Sequence, residues 1–235
     1  MKFLLFTLVT RAVTTLSLLH PVRASADYST LDNLADGRLE LIIGKGNGPA
    51  QARIRHGSAT GRESVELAAR HGDPLFSADV TNPIEPSAEL VRHYRQRWAH
   101  YGRDPADALV GAGTAGFHVA ATSQQARAVS TPLFEARRAL ARKLGLPLVF
   151  DTIDDFLARS SALVGSPQEV IDKVGRYHEQ LGHEVIHLSA ERDGRADTDY
   201  LGSLELFQAE VAPELRRRIP SRPLAAGREF SGVTP

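Results

Sequence analysis

The chain has 235 residues, with 28 Lys plus Arg, 28 Asp plus Glu and no cysteine. The balanced charge provides no overall field for nucleic acid or an acidic membrane surface, and the missing thiols exclude disulfides, thiolate nucleophiles and Cys-ligated metal sites. A chain of this length suits one α/β domain with a sizeable core. We assign residues 1–220 to that domain and residues 221–235 to a loose C-terminal tail.

The N-terminal run from Lys2 to Val9 has two interpretations. Together with Ala24-Ser25-Ala26 it imitates a secretory signal peptide with its cleavage site. Arg11 and His20-Pro21 interrupt the apolar stretch, however, which favours a buried strand in a cytoplasmic protein. Neither half of the stretch is long enough to cross a bilayer as a helix, so no membrane partner is expected.

Apolar, β-branched runs alternate with segments of helical period, which is typical of a parallel α/β architecture. The predicted strands are Ala12–Leu19, Arg38–Gly44, Ala52–Gly57, Pro74–Ala78, Ala108–Ala120 and His183–Ser189. Beyond the Gly44-Lys45-Gly46 that closes the second strand, only residues 47–51 separate it from the third, whereas a parallel crossover takes about a dozen residues or more. Either these two strands are not parallel neighbours, or a crossover has been removed.

Helical periodicity is clearest in three segments. Residues 88–101 carry an apolar stripe that includes Val91, Tyr94 and Trp98. Ser166 followed by Pro167 and Glu169 has the pattern of a helix start with a capping box. A third stripe runs through Leu201, Leu204, Phe207, Val211 and Leu215.

Two segments have the chemistry of an anion site. Lys45-Gly46-Asn47 follows an apolar strand, where glycine lets the backbone approach a ligand and lysine supplies a point charge for phosphate. Ser58-Ala59-Thr60 and Arg62 precede the helical stretch 63–70, where free N–H groups and the helix dipole favour an anion. Taken singly, an ordinary turn and an ordinary helix cap explain them as well.

The segment from Gly111 to Gly116 fits the G-x-G-x-x-G pattern of dinucleotide-binding proteins. That pattern requires a helix directly after the glycines, whereas Phe117 to Ala120 continues as strand. We interpret the segment as a glycine-rich core strand. The nine histidines show no metal-ligand spacing, so no metal site is predicted.

Three stretches read in order resemble one family. They are His20-Pro21-Val22-Arg23, then Thr30 to Leu41 with its Thr-Leu-Asp and Gly-Arg turn, then Gly44-Lys45-Gly46-Asn47. Together they resemble a block of the bacterial luciferase-like, flavin-dependent oxidoreductases. Two positions depart from that block, with Ala35 for the usual Ser and Lys45 for the usual Arg. The segments Ser64 to Asp73 and Ser161 to Pro167 are similar to later β/α units of the family.

The resemblance implies a TIM-type (β/α)₈ barrel that is N-terminally truncated and internally shortened, with about six of eight β/α units. The six predicted strands would then be the third to the eighth. An incomplete barrel leaves an open edge, which invites pairing with a second copy of the chain. The ligand is expected at the carboxyl ends of the strands, beneath a lid formed by residues 123–160.

The resemblance also implies a monooxygenase that uses reduced FMN and O₂ on a small organic substrate, with a separate flavin reductase as partner. Lys45, Gly46, Asn47, Ser58, Ala59, Thr60 and Arg62 would then hold the flavin phosphate. The alternatives are a hydride-transfer oxidoreductase that uses coenzyme F420, and a non-catalytic remnant of the family. No catalytic residue is assigned, since the strands that line the family's pocket lack a predicted counterpart.

Overall fold

The computed structural model describes residues 1–5, 14–15, 21–34, 43–44, 61–77, 82–188 and 197–220. Within these ranges the strands are β1 Lys2–Leu5, β2 Thr14–Thr15, β3 Ile43–Gly44, β4 Leu75–Ser77, β5 Val110–Ala112, β6 Phe117–Val119, β7 Leu163–Gly165 and β8 Val185–Leu188. The helices are α1 Pro21–Leu34, α2 Arg62–His71, α3 Glu85–His100, α4 Ser123–Lys143, α5 Ile153–Arg159, α6 Pro167–Leu181, α7 Asp197–Leu206 and α8 Ala212–Arg218. A short 3₁₀ turn, Pro105–Asp107, precedes β5, and a π turn, Phe207–Val211, joins α7 to α8.

Every strand pair in the described ranges is parallel. One sheet has the order β1-β8-β5-β4, while β2 pairs with β3 and β6 with β7 in two separate ladders. The first strand therefore lies beside the last, as it does in a β/α barrel. The described strands form three separate sheets rather than one continuous barrel wall, in agreement with the expected incomplete TIM-type architecture.

The strand predictions met different outcomes. Pro74–Ala78 and His183–Ser189 are confirmed, since they contain β4 and β8. The predicted strands at 12–19 and 38–44 contain β2 and β3, which are two residues each. The predicted strand Ala52–Gly57 and the tail 221–235 lie outside the described residues.

The prediction of one strand over Ala108–Ala120 was wrong. The chain leaves the sheet after Ala112 and re-enters strand geometry at Phe117 in a different ladder, where β6 pairs with β7. The break reflects a change of partner strand: the N–H of Gly113 donates to the carbonyl of Ser77 at 2.9 Å as the last bond between β5 and β4. The carbonyl of Gly116 then accepts from the N–H of Leu163 at 2.8 Å, where the pairing of β6 with β7 begins.

Two strands are additions to the predicted set. β1 covers Lys2–Leu5, so the strand interpretation holds for these residues, and its register pairs Phe3 with Ile186. β7 is the Leu163–Gly165 segment, which directly precedes the helix cap at Ser166.

The helix start predicted at Ser166 is confirmed. Its hydroxyl accepts from the N–H of Glu169 at 3.4 Å, and the Glu169 carboxylate accepts from the N–H of Ser166 at 3.1 Å. This reciprocal pair is a capping box, and Pro167 occupies the first helical position. The Leu201–Leu215 stripe is helical as well, through α7, the π turn and α8.

Helices cover the sheet on its outer face. Val65 and Ala69 of α2 and Val91 and Trp98 of α3 form one buried cluster with Val110 and Ala112 of β5. A second cluster joins Ile186 and Leu188 of β8 to α6 and to the C-terminal helices. In that cluster the rings of Phe117 and Phe207 meet edge to face at 5.4 Å. None of the described helices is long and apolar enough to cross a membrane.

Candidate active site

The carboxyl ends of β4, β5 and β8 meet at one edge of the four-stranded sheet, because the strands are parallel. The chain passes from this edge into residues 113–116, of which Thr114 is buried at 3% exposure. Ligands of β/α barrels bind at this edge. This edge of the sheet is therefore the candidate site.

The inner face of the sheet, opposite the outer helices, carries Phe76, Gly111, Val185 and His187. Gly111 pairs with both Phe76 and Val185 in register, and His187 lies two residues beyond Val185 on the same face. A Cβ at Gly111 would lie 2.7 Å from Cδ2 of Phe76. Glycine at this position thus lets the Phe76 ring cover the strand, and this packing accounts for one glycine of the G-x-G-x-x-G pattern.

His187 is buried, and its ring meets Phe76 edge to face at 6.3 Å between centroids. Burial lowers the pKa of His187 to about 4, so the imidazole is neutral at pH 7. The residue is one position from the end of β8. His187 was not among the predicted site residues, although the alternation of Val185 and His187 with the outward Ile186 and Leu188 was a usable signal.

A cavity of about 430 Å³ lies beside this edge. Its walls come from α4, from the apolar connection between α4 and α5, and from the β6–β7 ladder. Asn82, Ala115 and Gly116, which follow β4 and β5, complete it. The volume falls in the range of about 300–1,000 Å³ that is usual for small-molecule sites.

Aromatic rings form one side of the cavity. Phe134 of α4 stacks on Phe156 of α5 at 5.3 Å between centroids, with 30° between the ring planes. Phe150 meets Phe156 edge to face at 5.4 Å. Such pairs contribute about 0.5–1.5 kcal/mol each beyond the apolar area that they bury, so the three rings hold α5 against α4.

The polar groups of the cavity wall are few. Arg137 donates through Nη1 to the carbonyl of Ala115 at 3.1 Å. The guanidinium of Arg138 lies over the ring of Phe134, with 5.5 Å from Cζ to the ring centroid. Arg138 also donates through Nη1 to Glu135 at 3.1 Å. Sequence reasoning missed both arginines, because on an amphipathic helix they resemble ordinary solvated residues.

The predicted phosphate site is described only in part. Lys45, Gly46, Asn47, Ser58, Ala59 and Thr60 lie outside the described residues. Arg62 is the exposed first residue of α2, and the N-cap of that helix is Gly61, which has no side chain to accept from the first-turn N–H groups. Glu63, also in the first turn, adds an opposing charge.

The G-x-G-x-x-G segment behaves as expected in one respect, since no helix follows the glycines directly and Phe117–Val119 is a strand. The next helix, α4, starts at Ser123 behind a capping box between Thr122 and Gln125. Within the described ranges no group of three or more His, Cys, Asp or Glu residues could hold a metal ion.

Parallel strands, helices on their outer face and an apolar cavity at their carboxyl ends define a protein of the β/α-barrel type. The sequence profile of luciferase-like monooxygenases matches residues 8–58 and 54–184. The chain therefore belongs to the luciferase-like monooxygenase family. A search of curated proteins found no match.

Solved structures share this fold. Monooxygenase RslO1 from Streptomyces bottropensis has 21% sequence identity and a TM-score of 0.69, over 86% of this chain and 76% of that chain. The FMN complex of the oxygenating constituent of 3,6-diketocamphane monooxygenase from Pseudomonas putida has 16% identity and a TM-score of 0.64, over 90% and 80%. The coenzyme F420-dependent tetrahydromethanopterin reductase from Methanopyrus kandleri has 15% identity and a TM-score of 0.56, over 87% and 82%.

Proposed function

We propose that this protein is a flavin-dependent monooxygenase that binds reduced FMN and uses O₂ to oxygenate a small organic substrate. The observation that carries the proposal is the apolar cavity at the carboxyl ends of parallel strands, in a chain of the luciferase-like monooxygenase family. The 3,6-diketocamphane monooxygenase constituent, whose structure contains FMN, supports the choice of cofactor.

The residues proposed for the flavin phosphate are Lys45, Gly46, Asn47, Ser58, Ala59, Thr60 and Arg62. The described part of this set fits an anion, because Arg62 is exposed at the N-terminus of a ten-residue helix capped by glycine. N–H groups and the positive dipole end of a helix bind phosphate without further side chains. The negative charge of Glu63 weakens the attraction of this helix end for an anion without removing it.

Reduced flavin, when bound, supplies the electrons that activate O₂. The protein binds the organic substrate, orients it and keeps water out. The aromatic wall of Phe134, Phe150 and Phe156 and the partly exposed connection from Leu146 to Val149 suit the second and third tasks. Residues 123–160, expected to act as a lid, supply most of this wall, and their closure over substrate is part of the proposal.

Hydride transfer with coenzyme F420 is the second candidate. The similarity to the tetrahydromethanopterin reductase favours this candidate, because that enzyme has a similar fold and depends on coenzyme F420. The two cofactors differ in the reaction that they support once bound, since hydride transfer consumes no O₂.

The test uses the purified full chain. Reduced FMN and reduced coenzyme F420 are titrated separately under anaerobic conditions, and O₂ consumption is then measured in aerated buffer with a flavin reductase present. We expect binding of reduced FMN and O₂ consumption that rises with a productive substrate. Binding of coenzyme F420 alone would favour the second candidate, and a folded chain that binds neither would identify a non-catalytic remnant of the family.

The proposal includes a separate flavin reductase, a homo-oligomer formed through an open sheet edge, and a cytoplasmic location. Size-exclusion chromatography with light scattering tests the oligomer. Cell fractionation tests the location.

A further inference from the structure

We infer that the cavity between α4, α5 and the β6–β7 ladder binds a ring-containing organic molecule that carries a carboxylate, and that Arg138 recognises the carboxylate. Only the assignment of this molecule as the oxygenated substrate rests on the proposed function. Binding itself follows from the cavity and its lining.

The ring follows from the shape and chemistry of the wall. Phe134 and Phe156 are stacked and Phe150 stands edge-on to Phe156, so the cavity presents both faces and edges of aromatic rings. Aromatic surfaces favour offset or edge-to-face contact with another ring. A planar ring system makes such contacts over its whole area, whereas a flexible alkyl chain loses rotamer freedom to make fewer of them.

The carboxylate follows from Arg138. Its Nε is buried and has no hydrogen-bond partner within the part of the chain that the structure describes. Its Nη1 is paired with Glu135, whose side chain is 52% exposed, against 18% for Arg138. Water therefore screens the Glu135 charge more than that of the guanidinium. Arg138 lines the largely apolar cavity, and a permanent cation in such a wall favours an anionic partner, because hydrogen bonds between charged groups are about twice as strong as neutral ones.

The entrance is on the solvent side of the same wall. Leu146 and Leu148 line the cavity, and their side chains are 55% and 37% exposed. An apolar body would enter past these residues and cover them. The charged group would then meet Arg138 on α4.

The test is isothermal titration calorimetry of the full chain, without flavin, using 2-naphthoate as the probe. 2-Naphthamide replaces the carboxylate with a neutral acceptor, and octanoate keeps the carboxylate but replaces the ring. We expect 2-naphthoate to bind about tenfold or more tightly than 2-naphthamide, since a hydrogen bond between charged groups exceeds a neutral one by about that factor. We expect it also to bind more tightly than octanoate, which lacks the ring contacts with the phenylalanine side chains. If 2-naphthamide binds as tightly as 2-naphthoate, the inferred recognition of a carboxylate is wrong. If octanoate does, the inferred preference for a ring is wrong.

Two variants locate the site. Arg138→Met keeps the aliphatic stem and removes the donor. We expect it to weaken the binding of 2-naphthoate about tenfold and to leave the binding of 2-naphthamide nearly unchanged. Arg142→Met, one turn further along α4 and exposed, is the matched control and should bind as the wild type does. Ala141→Phe places a ring in the cavity and should abolish binding. Wild-type affinity in Arg138→Met or Ala141→Phe would refute the inference.

If Arg138→Met does not fold, as judged by circular dichroism, Arg138→Lys replaces it, since lysine keeps the charge without a donor at the Nε position. FMN binding is measured on the same samples. Naphthoate binding by a chain that does not bind FMN supports the inference and refutes only the flavin function. FMN binding without naphthoate binding refutes only the inference.

Discussion

The ammonium group of Lys173 donates a hydrogen bond to the carbonyl oxygen of Leu157, although the lysine is only 7% exposed. The bond ties the middle of α6 to the last turn of α5, the helix that carries Phe156 into the cavity wall. Burial, with a smaller contribution from the charge of Arg176, lowers the pKa of Lys173 from 10.5 to about 7. The residue thus holds α5 in place at a cost to stability when it is charged.

The unfolding free energy should rise with pH between about pH 7 and 10.5. In this window the unfolded chain keeps the Lys173 proton that the folded chain has lost, so the slope is positive, at most about 1.4 kcal/mol per pH unit. Lys173→Met removes this contribution, and urea unfolding at pH 7, 8.5 and 10 measures the difference. Lys143→Met, exposed at the end of α4, should keep the wild-type slope. A Lys173→Met slope equal to that of the wild type would contradict the buried charge.

Gly111→Ala should destabilise the protein by about 1–3 kcal/mol, because the new methyl group would overlap the ring of Phe76 between β4 and β5. Denaturant unfolding measures the loss. Gly175→Ala, in α6 where the added Cβ would meet nothing within 4 Å beyond the backbone of its own helix, should instead stabilise by about 0.5–1 kcal/mol. Phe76→Leu combined with Gly111→Ala should recover part of the loss. If the double variant recovers no stability, the loss in Gly111→Ala does not come from overlap with the Phe76 ring.

Ser166→Ala should cost about 1 kcal/mol, because it removes the side-chain acceptor for the N–H of Glu169 at the start of α6. Ser123→Ala is the control, since Ser123 is the first residue of α4 and the cap of that helix is Thr122. Thermal unfolding of both variants measures the effect. Equal losses would show that the Ser166 cap contributes no more to stability than a serine in the first helical turn.

Arg62→Gln should weaken binding of FMN several-fold and leave riboflavin, which lacks the phosphate, nearly unchanged. Glu63→Gln should strengthen binding of FMN, because it removes a negative charge from the same helix turn. Arg70→Gln, in the last turn of α2, serves as the control. Fluorescence titration of each flavin at two salt concentrations measures the constants. Unchanged FMN affinity in both first-turn variants would move the phosphate away from α2.

Local sequence was sufficient for α6, because its cap, its first-turn proline and its apolar spacing all lie within one segment of chain. It was also sufficient to reject a dinucleotide site at Gly111 to Gly116, since that site needs a helix where Phe117–Val119 forms a strand. Local sequence did not predict the break between β5 and β6. An apolar, glycine-rich run looks continuous in sequence, and only the structure shows that the bond from Gly113 to Ser77 ends the pairing with β4 and that the bond from Leu163 to Gly116 begins the pairing with β7.

The amino-acid sequence alone was enough to establish the family, the parallel α/β class and most helix positions, because these depend on ordered motifs and on local periodicity. The three-dimensional packing was needed to establish that Lys2–Leu5 lies beside β8, that His187 and Phe76 share the inner face, and that Arg138 shares a cavity wall with three phenylalanine rings. Those relationships join residues from separate elements, many of them far apart in the chain. They arise from packing between elements, which local patterns do not encode.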